Sequence, residues 1–197
     1  EYFHLWVVKR IRPIELGPFN YDEEVYTNQL WFFEGFTSFY DDYIVYKSGF
    51  YSRKEYLDIV FKNLKTILNT PGDTVQSLTE SSFDAWIKYY RRNENSNNAT
   101  VSYYTKGGLV ACILQIDFIN HTNGQKSLDD LMNYLYHEHY LKLNRGLTDE
   151  ELVAAIETVA GKSYKDFMTQ FVTGVQPIPY ASFFEKAGIL FTEKKPE

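Results

Sequence analysis

The sequence has very little cysteine and no long apolar run. Cys112 is the one cysteine in 197 residues, which excludes an internal disulfide framework and a zinc ribbon built from several cysteines. The longest apolar runs, such as residues 109–114, fall far short of the ~18 residues that a membrane-spanning helix needs. We therefore expect a soluble chain without a membrane span, and the sequence leaves its compartment open between cytoplasmic and periplasmic or secreted.

Positive charge is also scarce. The chain has 20 Lys and Arg against 26 Asp and Glu, which gives a formal net charge of -6 and a pI near 5.3. Domains that bind nucleic acid usually carry a basic surface. The charge balance therefore argues against a nucleic-acid partner.

Aromatic residues, in contrast, are abundant. The chain has 15 Phe, 17 Tyr and 3 Trp, and its hydrophobic (44%) and charged (23%) fractions resemble those of an ordinary globular protein. This length suits a single domain. The chain starts at Glu1, directly in an aromatic and basic segment, and we expect it to be a piece of a longer protein.

Capping patterns and helical periodicity predict a mainly α fold. Three pairs have capping-box spacing, in which two side chains satisfy each other's free backbone N–H groups: Ser52 with Glu55, Ser127 with Asp130, and Thr148 with Glu151. The first of the three helices is predicted to end before Thr70-Pro71-Gly72-Asp73. Apolar side chains at helical spacing predict further helices at residues 81–91 and 163–172. The largely apolar run at 107–119 predicts a buried helix, and the polar residues 92–100 predict a loop.

Glu1 and His4 form an E-x-x-H pattern at the N-terminus. On a helix, His4 and the residue just before Glu1 would lie on one face. If that residue were histidine, the motif would be H-E-x-x-H, in which two imidazoles bind zinc and the glutamate acts as general base. E-x-x-H alone is a weak signal, and the alternative for His4 is an ordinary packed histidine.

Glu34 is a second candidate metal ligand, because it stands in the apolar, aromatic stretch LWFFEGFTSFY at residues 30–40. A buried carboxylate is costly unless it is paired or bound to a metal. The 30 residues between His4 and Glu34 leave room for a second helix to return to the first. The alternative is an ion pair with Lys9 or Arg10.

Three more residues are candidates for the same site. A hydroxyl of Tyr103 or Tyr104 near a metal can donate to the oxyanion of a tetrahedral intermediate, although plain core packing is the alternative. Asp41 lies two helical turns after Glu34. It could accept the second ring N–H of a zinc-bound histidine, and the alternative is a solvated charge.

Five segments point in combination to one family: EYFHLWVVKRIRP at 1–13, LWFFEGFTSFY at 30–40, PGDTVQSLTESSFDAWI at 71–87, VSYYTKGG at 101–108 and SLDDLMNYL at 127–135. With them the sequence resembles the glycyl aminopeptidase family of zinc metallopeptidases, M61, in the gluzincin group. The resemblance implies that residues 1–197 form the C-terminal part of a thermolysin-like, mainly helical catalytic domain. Longer relatives have a β domain before it and a PDZ-like domain after it, so residues 188–197 are expected to start a linker.

The resemblance also implies roles for the candidate residues. Glu1 matches the general base, His4 the second zinc ligand and Glu34 the third, in the E-G-x-T context. Tyr104 matches the Y-x-K-G tyrosine that stabilises the transition state, and the adjacent Tyr103 could take that role instead. The first zinc-binding histidine of the family is not among these 197 residues.

The implied function is zinc-dependent removal of N-terminal residues, small ones such as glycine, from peptide substrates. A zinc-bound water would be the nucleophile and Glu1 its base. Without the first histidine, residues 1–197 alone are expected to bind zinc weakly or not at all, to be inactive, and to be prone to homodimerise. The alternative is a helical binding or scaffold module that has lost its metal site, and the residue encoded before Glu1 discriminates the two.

Overall fold

The computed structural model describes residues 2–191 and confirms a mainly α single domain. Within this range the only β-type pairings are two isolated bridges, Val7 with Ile11 and Pro13 with Leu147. No helix in the described range is long and apolar enough to cross a membrane. The α-helices are α1 (Leu30–Lys47), α2 (Arg53–Leu68), α3 (Leu78–Phe83), α4 (Ser96–Ala99), α5 (Tyr103–His121), α6 (Leu128–Tyr134), α7 (Asp149–Ala160), α8 (Lys165–Phe167) and α9 (Tyr180–Lys186).

Short helical turns that are tighter or wider than an α-helix lie before and between these helices. Short 3₁₀ turns lie at Tyr2–Leu5, Ile14–Leu16 and Pro71–Thr74. Wider π turns follow three of the helices, at Ala85–Tyr89, Leu135–Leu141 and Met168–Val172.

Local capping chemistry decides where several helices begin. The three predicted capping boxes, led by Ser52, Ser127 and Thr148, are all present. Ser77 leads a fourth, because its side chain accepts from the Glu80 backbone N–H while the Glu80 carboxylate accepts from the Ser77 N–H. Each box satisfies two backbone donors that a helix start otherwise leaves unpaired.

The core is built around α1 and α5, which pack side by side along most of their length. Phe32, Phe33 and Phe36 of α1 are fully buried, and α5 is buried on almost every face. Much of the aromatic excess therefore forms the core, where each large ring removes apolar area from water.

Two glycines permit this close approach of α1 and α5. A Cβ on Gly35 would lie 2.5 Å from the Cα of Gly107, and one on Gly107 would lie 2.3 Å from the Trp31 carbonyl oxygen. Both distances are well below van der Waals contact, so no larger residue fits without separating the helices. The glycines that follow Glu34 in E-G-x-T and Lys106 in Y-x-K-G are thus the contact point of the two helices.

Two predicted helices are interrupted, and a predicted loop contains a helix. The 81–91 helix instead starts at Leu78, ends at Phe83 and continues as a π turn, where the Trp86 ring N–H donates to the Val25 carbonyl. The 163–172 helix is α8 followed by a π turn. Residues 92–100 contain α4, which is closed by Ser96 hydrogen bonds to Asn93 and Thr100. Contacts of this kind, such as that of Trp86 with Val25, leave no periodic pattern of apolar residues in the sequence, so they could not be predicted from it.

The end of the described range stays attached to the domain. The Phe191 ring packs against Phe61 and Phe184, at centroid distances of 5.8 and 5.5 Å. Residues 192–197, the greater part of the predicted linker start, lie outside the described residues. The linker therefore stays a prediction.

Candidate active site

The structure brings His4 and Glu34 together. His4 lies on the 3₁₀ turn Tyr2–Leu5 and Glu34 on the second turn of α1, with 3.6 Å between His4 Nε2 and Glu34 Oε2. The neighbouring Phe3 ring stacks on Tyr40 of α1 at 4.4 Å and so holds the turn against the helix. Both facing side chains are about three-quarters buried, at 25% and 21% exposure.

Residues 2–5 form a 3₁₀ turn and not the α-helix on which the H-E-x-x-H interpretation is conditional. The Trp6 and Val7 N–H groups both bond to the Phe3 carbonyl, and Val8 then takes a φ of 84°. A β-branched residue rarely adopts positive φ, and here it turns the chain so that Val7 pairs with Ile11. A single 3₁₀ turn therefore presents His4 in place of an α-helix.

The second ring nitrogen of His4 already has a partner. His4 Nδ1 lies 3.1 Å from the Val7 carbonyl oxygen, and a carbonyl can only accept. Nδ1 therefore donates its proton to this carbonyl, and Nε2 faces Glu34. A metal-binding histidine is usually oriented by such a contact at its other nitrogen.

The donor pair fits a zinc ion. Zinc bonds to imidazole nitrogen and carboxylate oxygen are about 2.0–2.2 Å long, so two ligands of a tetrahedral ion lie about 3.4 Å apart. The observed distance of 3.6 Å between His4 Nε2 and Glu34 Oε2 is close to that separation. Within residues 2–191, no group of three or more His, Cys, Asp or Glu side chains could hold a metal, and Glu1 lies outside the described residues.

Tyr103 and Tyr104 belong to a chain of hydroxyl groups beside this pair. The Tyr103 hydroxyl donates to Tyr90 at 3.4 Å, and the Tyr90 and Tyr104 hydroxyls are 3.1 Å apart. Burial and the hydrogen bond with Tyr90 raise the pKa of Tyr104, and the charge of Glu34 raises it further. The Tyr104 hydroxyl therefore keeps its proton and can donate a hydrogen bond. Tyr103 is almost fully buried and is less accessible to a substrate.

Tyr90 was missed by the sequence interpretation. It lies just after the π turn Ala85–Tyr89 and is 62% exposed, yet its hydroxyl contacts both candidate tyrosines. Its place in an aromatic segment was the available signal, but that segment was interpreted only as a helix.

Asp41 lies on α1 with an exposed side chain. The role that we predicted for it, accepting the second ring N–H of a zinc histidine, is taken for His4 by the Val7 carbonyl. The same role toward another histidine stays a prediction.

A buried ion pair joins two of the motifs that frame the site. Lys106, from the Y-x-K-G segment, is fully buried, and its Nζ lies 2.6 Å from Oδ1 of Asp73 in the Pro71–Thr74 turn. Close packing supports the pair, because a Cβ on the neighbouring Gly72 would lie 2.2 Å from the Thr100 carbonyl oxygen. The start of α5, which carries Tyr103 and Tyr104, is thereby fixed against residues 71–74.

Comparisons with known proteins show the family to which the chain belongs. The family model for M61 glycyl aminopeptidase matches residues 1–110. The crystal structure of an aminopeptidase N family protein from Idiomarina loihiensis superposes with a TM-score of 0.89 at 34% sequence identity. That match covers 94% of this chain and 31% of the other, so the chain spans about a third of its length. A search of curated proteins gives no match.

Proposed function

Because the chain belongs to the M61 glycyl aminopeptidase family, we propose that it is part of the catalytic domain of a zinc-dependent aminopeptidase. The proposed reaction is hydrolysis of the first peptide bond of a peptide, with release of a small N-terminal residue such as glycine. The observation that carries the proposal is the 3.6 Å separation of His4 Nε2 and Glu34 Oε2. Two protein ligands of one tetrahedral zinc ion lie at about this separation.

His4 and Glu34 would hold zinc, with a further ligand from outside residues 2–191, since a catalytic zinc site has three protein ligands. Zinc bound there would supply Lewis-acid polarisation of the scissile carbonyl and acidify a coordinated water. The Val7 carbonyl keeps His4 in the tautomer that leaves Nε2 free to bind. Glu1 is proposed to take a proton from the attacking water and to pass it to the leaving amine.

Tyr104 is proposed to donate its hydroxyl proton in a hydrogen bond to the carbonyl oxygen as that oxygen becomes negative. Its raised pKa keeps the proton in place at neutral pH. The Tyr90 hydroxyl, 3.1 Å from the Tyr104 hydroxyl, orients the Tyr104 hydroxyl before substrate binds. Donors arranged in advance contribute strongly to catalysis in a partly dry site.

The proposal is tested by replacing Glu34 in the complete protein that contains this chain. Glu34→Gln keeps the shape but removes the anionic ligand. Bound zinc and peptidase activity should both fall at least tenfold, because even the loss of a residue that only orients a zinc ligand typically costs about 10–100-fold. Zinc is measured by elemental analysis, and activity by release of glycine from a glycyl dipeptide amide.

The matched control is Glu185→Gln, at an exposed position on α9. It should leave zinc content and activity unchanged. If Glu34→Gln retained full zinc and full activity, the ligand assignment would be wrong. If the complete unaltered protein held no zinc and cleaved no peptide, the scaffold function would replace the proposed one.

Two further expectations concern residues 1–197 expressed alone. With two donors among the described residues, weak zinc binding and no peptidase activity are expected. Faces that normally contact other parts of the protein are expected to favour homodimers, and light scattering would give the mass. Stoichiometric zinc that survives dialysis would contradict the expected weak binding. A monomer at all concentrations would contradict the expected homodimer.

A further inference from the structure

A cavity of about 210 Å³ lies between α1, α2 and α5. Its polar lining comes from all three helices: Ser38 and Asp42 from α1, Tyr56 and Asn63 from α2, and Tyr104 and Cys112 from α5. This volume is several times the ~30 Å³ that one water occupies in the liquid.

The cavity is adjacent to the candidate active site. Glu34, Ser38 and Asp42 are spaced by four residues on α1 and therefore lie on one face of that helix. Tyr104 belongs to both places, because its hydroxyl contacts Tyr90 while its side chain lines the cavity. A peptide bound at His4 and Glu34 would thus have this cavity within one or two helical turns.

Asp42 is the distinctive group in the wall. It is partly buried, and within residues 2–191 its carboxylate makes no hydrogen bond or ion pair. Burial and the adjacent charge of Asp41 raise its pKa. Two other sequestered carboxylates have lysine partners: Asp73 pairs with Lys106, and Asp117 with Lys162 and Lys186. An unpaired carboxylate that faces a cavity is well suited to bind a cationic ligand.

The remaining walls suit a long aliphatic stem. Phe39, Ile59, Val60 and Leu109 supply apolar surface, and the rings of Phe39 and Tyr56 can interact favourably with a cation. Lysine and arginine side chains combine such a stem with a cationic tip. A small released residue would leave this volume empty, so the occupant has to come from elsewhere in the peptide.

We propose that this cavity is a subsite for a lysine or arginine side chain at the second residue of the peptide substrate, with Asp42 binding the cation. The proposal rests on the proposed aminopeptidase function. It makes Asp42 a specificity-determining residue rather than a catalytic one, because Asp42 contacts the substrate side chain and not the reacting bond.

The kinetic test compares two substrates in the complete protein, glycyl-lysine amide and glycyl-norleucine amide, which differ in the side-chain charge. The unaltered protein should favour the lysine substrate in kcat/KM by about tenfold, which is typical for a hydrogen bond to a charged group. Asp42→Asn should abolish that preference while leaving kcat/KM for the norleucine substrate within about twofold. Asp58→Asn, at an exposed position on α2, is the matched control and should keep the preference.

Two outcomes would overturn the subsite. Equal kcat/KM for both substrates in the unaltered protein is one. An equal loss on both substrates in Asp42→Asn is the other, because it would mean that Asp42 binds the N-terminal ammonium that both peptides share. The melting temperature of Asp42→Asn, measured alongside, shows whether the variant is folded, and Asp42→Glu should retain part of the preference.

A binding measurement separates this inference from the proposed function. Nα-acetyl-lysine methylamide has the side-chain ammonium but no N-terminal one and cannot be hydrolysed by an aminopeptidase. Calorimetry should show that it binds the unaltered protein and loses at least tenfold in affinity with Asp42→Asn. Binding without any peptidase activity would refute the proposed function alone, whereas activity without this binding would refute the subsite alone.

Discussion

At the scale of single residues, the buried ion pair of Lys106 and Asp73 is expected to make a large contribution to stability near the site. Replacing Lys106 with Met would leave the Asp73 carboxylate with 15% exposure and no cation. Removing one partner of a buried pair typically costs about 3–5 kcal/mol. We predict that Lys106→Met lowers the free energy of unfolding by that amount in urea titrations.

The matched control is Lys54→Met, because Lys54 pairs with Asp58 on the surface of α2 with exposures of 83% and 60%. A pair this exposed is screened by water and contributes little to stability. The double variant Lys106→Met/Asp73→Leu should recover part of the loss, since it removes the stranded charge. A loss below that of the control would show that the pair is not needed.

The hydroxyl chain distinguishes Tyr104 from Tyr103. In the complete protein, Tyr104→Phe should lower kcat by about 10²-fold, the usual loss for an oxyanion donor, with little change in KM. Tyr103→Phe should lower kcat by less than tenfold, because its hydroxyl is buried and reaches the site through its neighbours Tyr90 and Tyr104. Tyr21→Phe, at an exposed position, serves as control. A larger loss for Tyr103→Phe would reverse the assignment.

At the scale of helices, the glycine contact between α1 and α5 determines the spacing of the site. Glu34 precedes Gly35, and Tyr104 is three residues before Gly107, so a wider helix pair would move the two apart. We predict that Gly107→Ala lowers the free energy of unfolding by about 1–3 kcal/mol, as overpacking does, and also lowers kcat. Urea titration and kinetics measure both effects.

Gly108→Ala is the graded comparison on the same helix. Its added Cβ would lie 3.3 Å from the Gly35 carbonyl oxygen, whereas that of Gly107→Ala would lie 2.3 Å from the Trp31 carbonyl oxygen. Because this steric overlap is smaller, Gly108→Ala should lower the free energy of unfolding by less than Gly107→Ala does. Equal stability of both variants and the unaltered protein would show that the helices separate freely.

Helix starts could be predicted because they depend on residues three apart, as Ser52 and Glu55 show. The interruption after Phe83 could not, because it follows from contacts such as that of Trp86 with the Val25 carbonyl, 61 residues away in sequence. The same contrast holds in the site. The resemblance identified His4 and Glu34, which the structure places together, but it gave no indication of Tyr90 or of the cavity wall around Asp42.

At the scale of the whole molecule, Asp117 joins α5 to the C-terminal part of the domain and makes stability depend on pH. Its carboxylate accepts from Lys162, Lys186 and the Tyr164 hydroxyl at 2.5–2.9 Å. Burial opposes ionisation of Asp117, but these three hydrogen bonds outweigh it and lower its pKa from 3.8 to about 2. The stabilisation is therefore complete above pH ~4 and disappears as the pH falls through about 2.

We predict that the unaltered chain loses about 2 kcal/mol of unfolding free energy through this residue between pH 4 and pH 2. Asp117→Asn should be less stable at pH 7, because it strands two lysines, and should lose less further stability on acidification. Urea titrations from pH 7 to pH 2 measure both curves. Asp58→Asn should change little at pH 7 and remain parallel to the unaltered chain. If the Asp117→Asn curve were also parallel, the acid sensitivity would arise from other carboxylates, such as Glu151, whose pKa the hydrogen bond from Arg145 lowers to about 2.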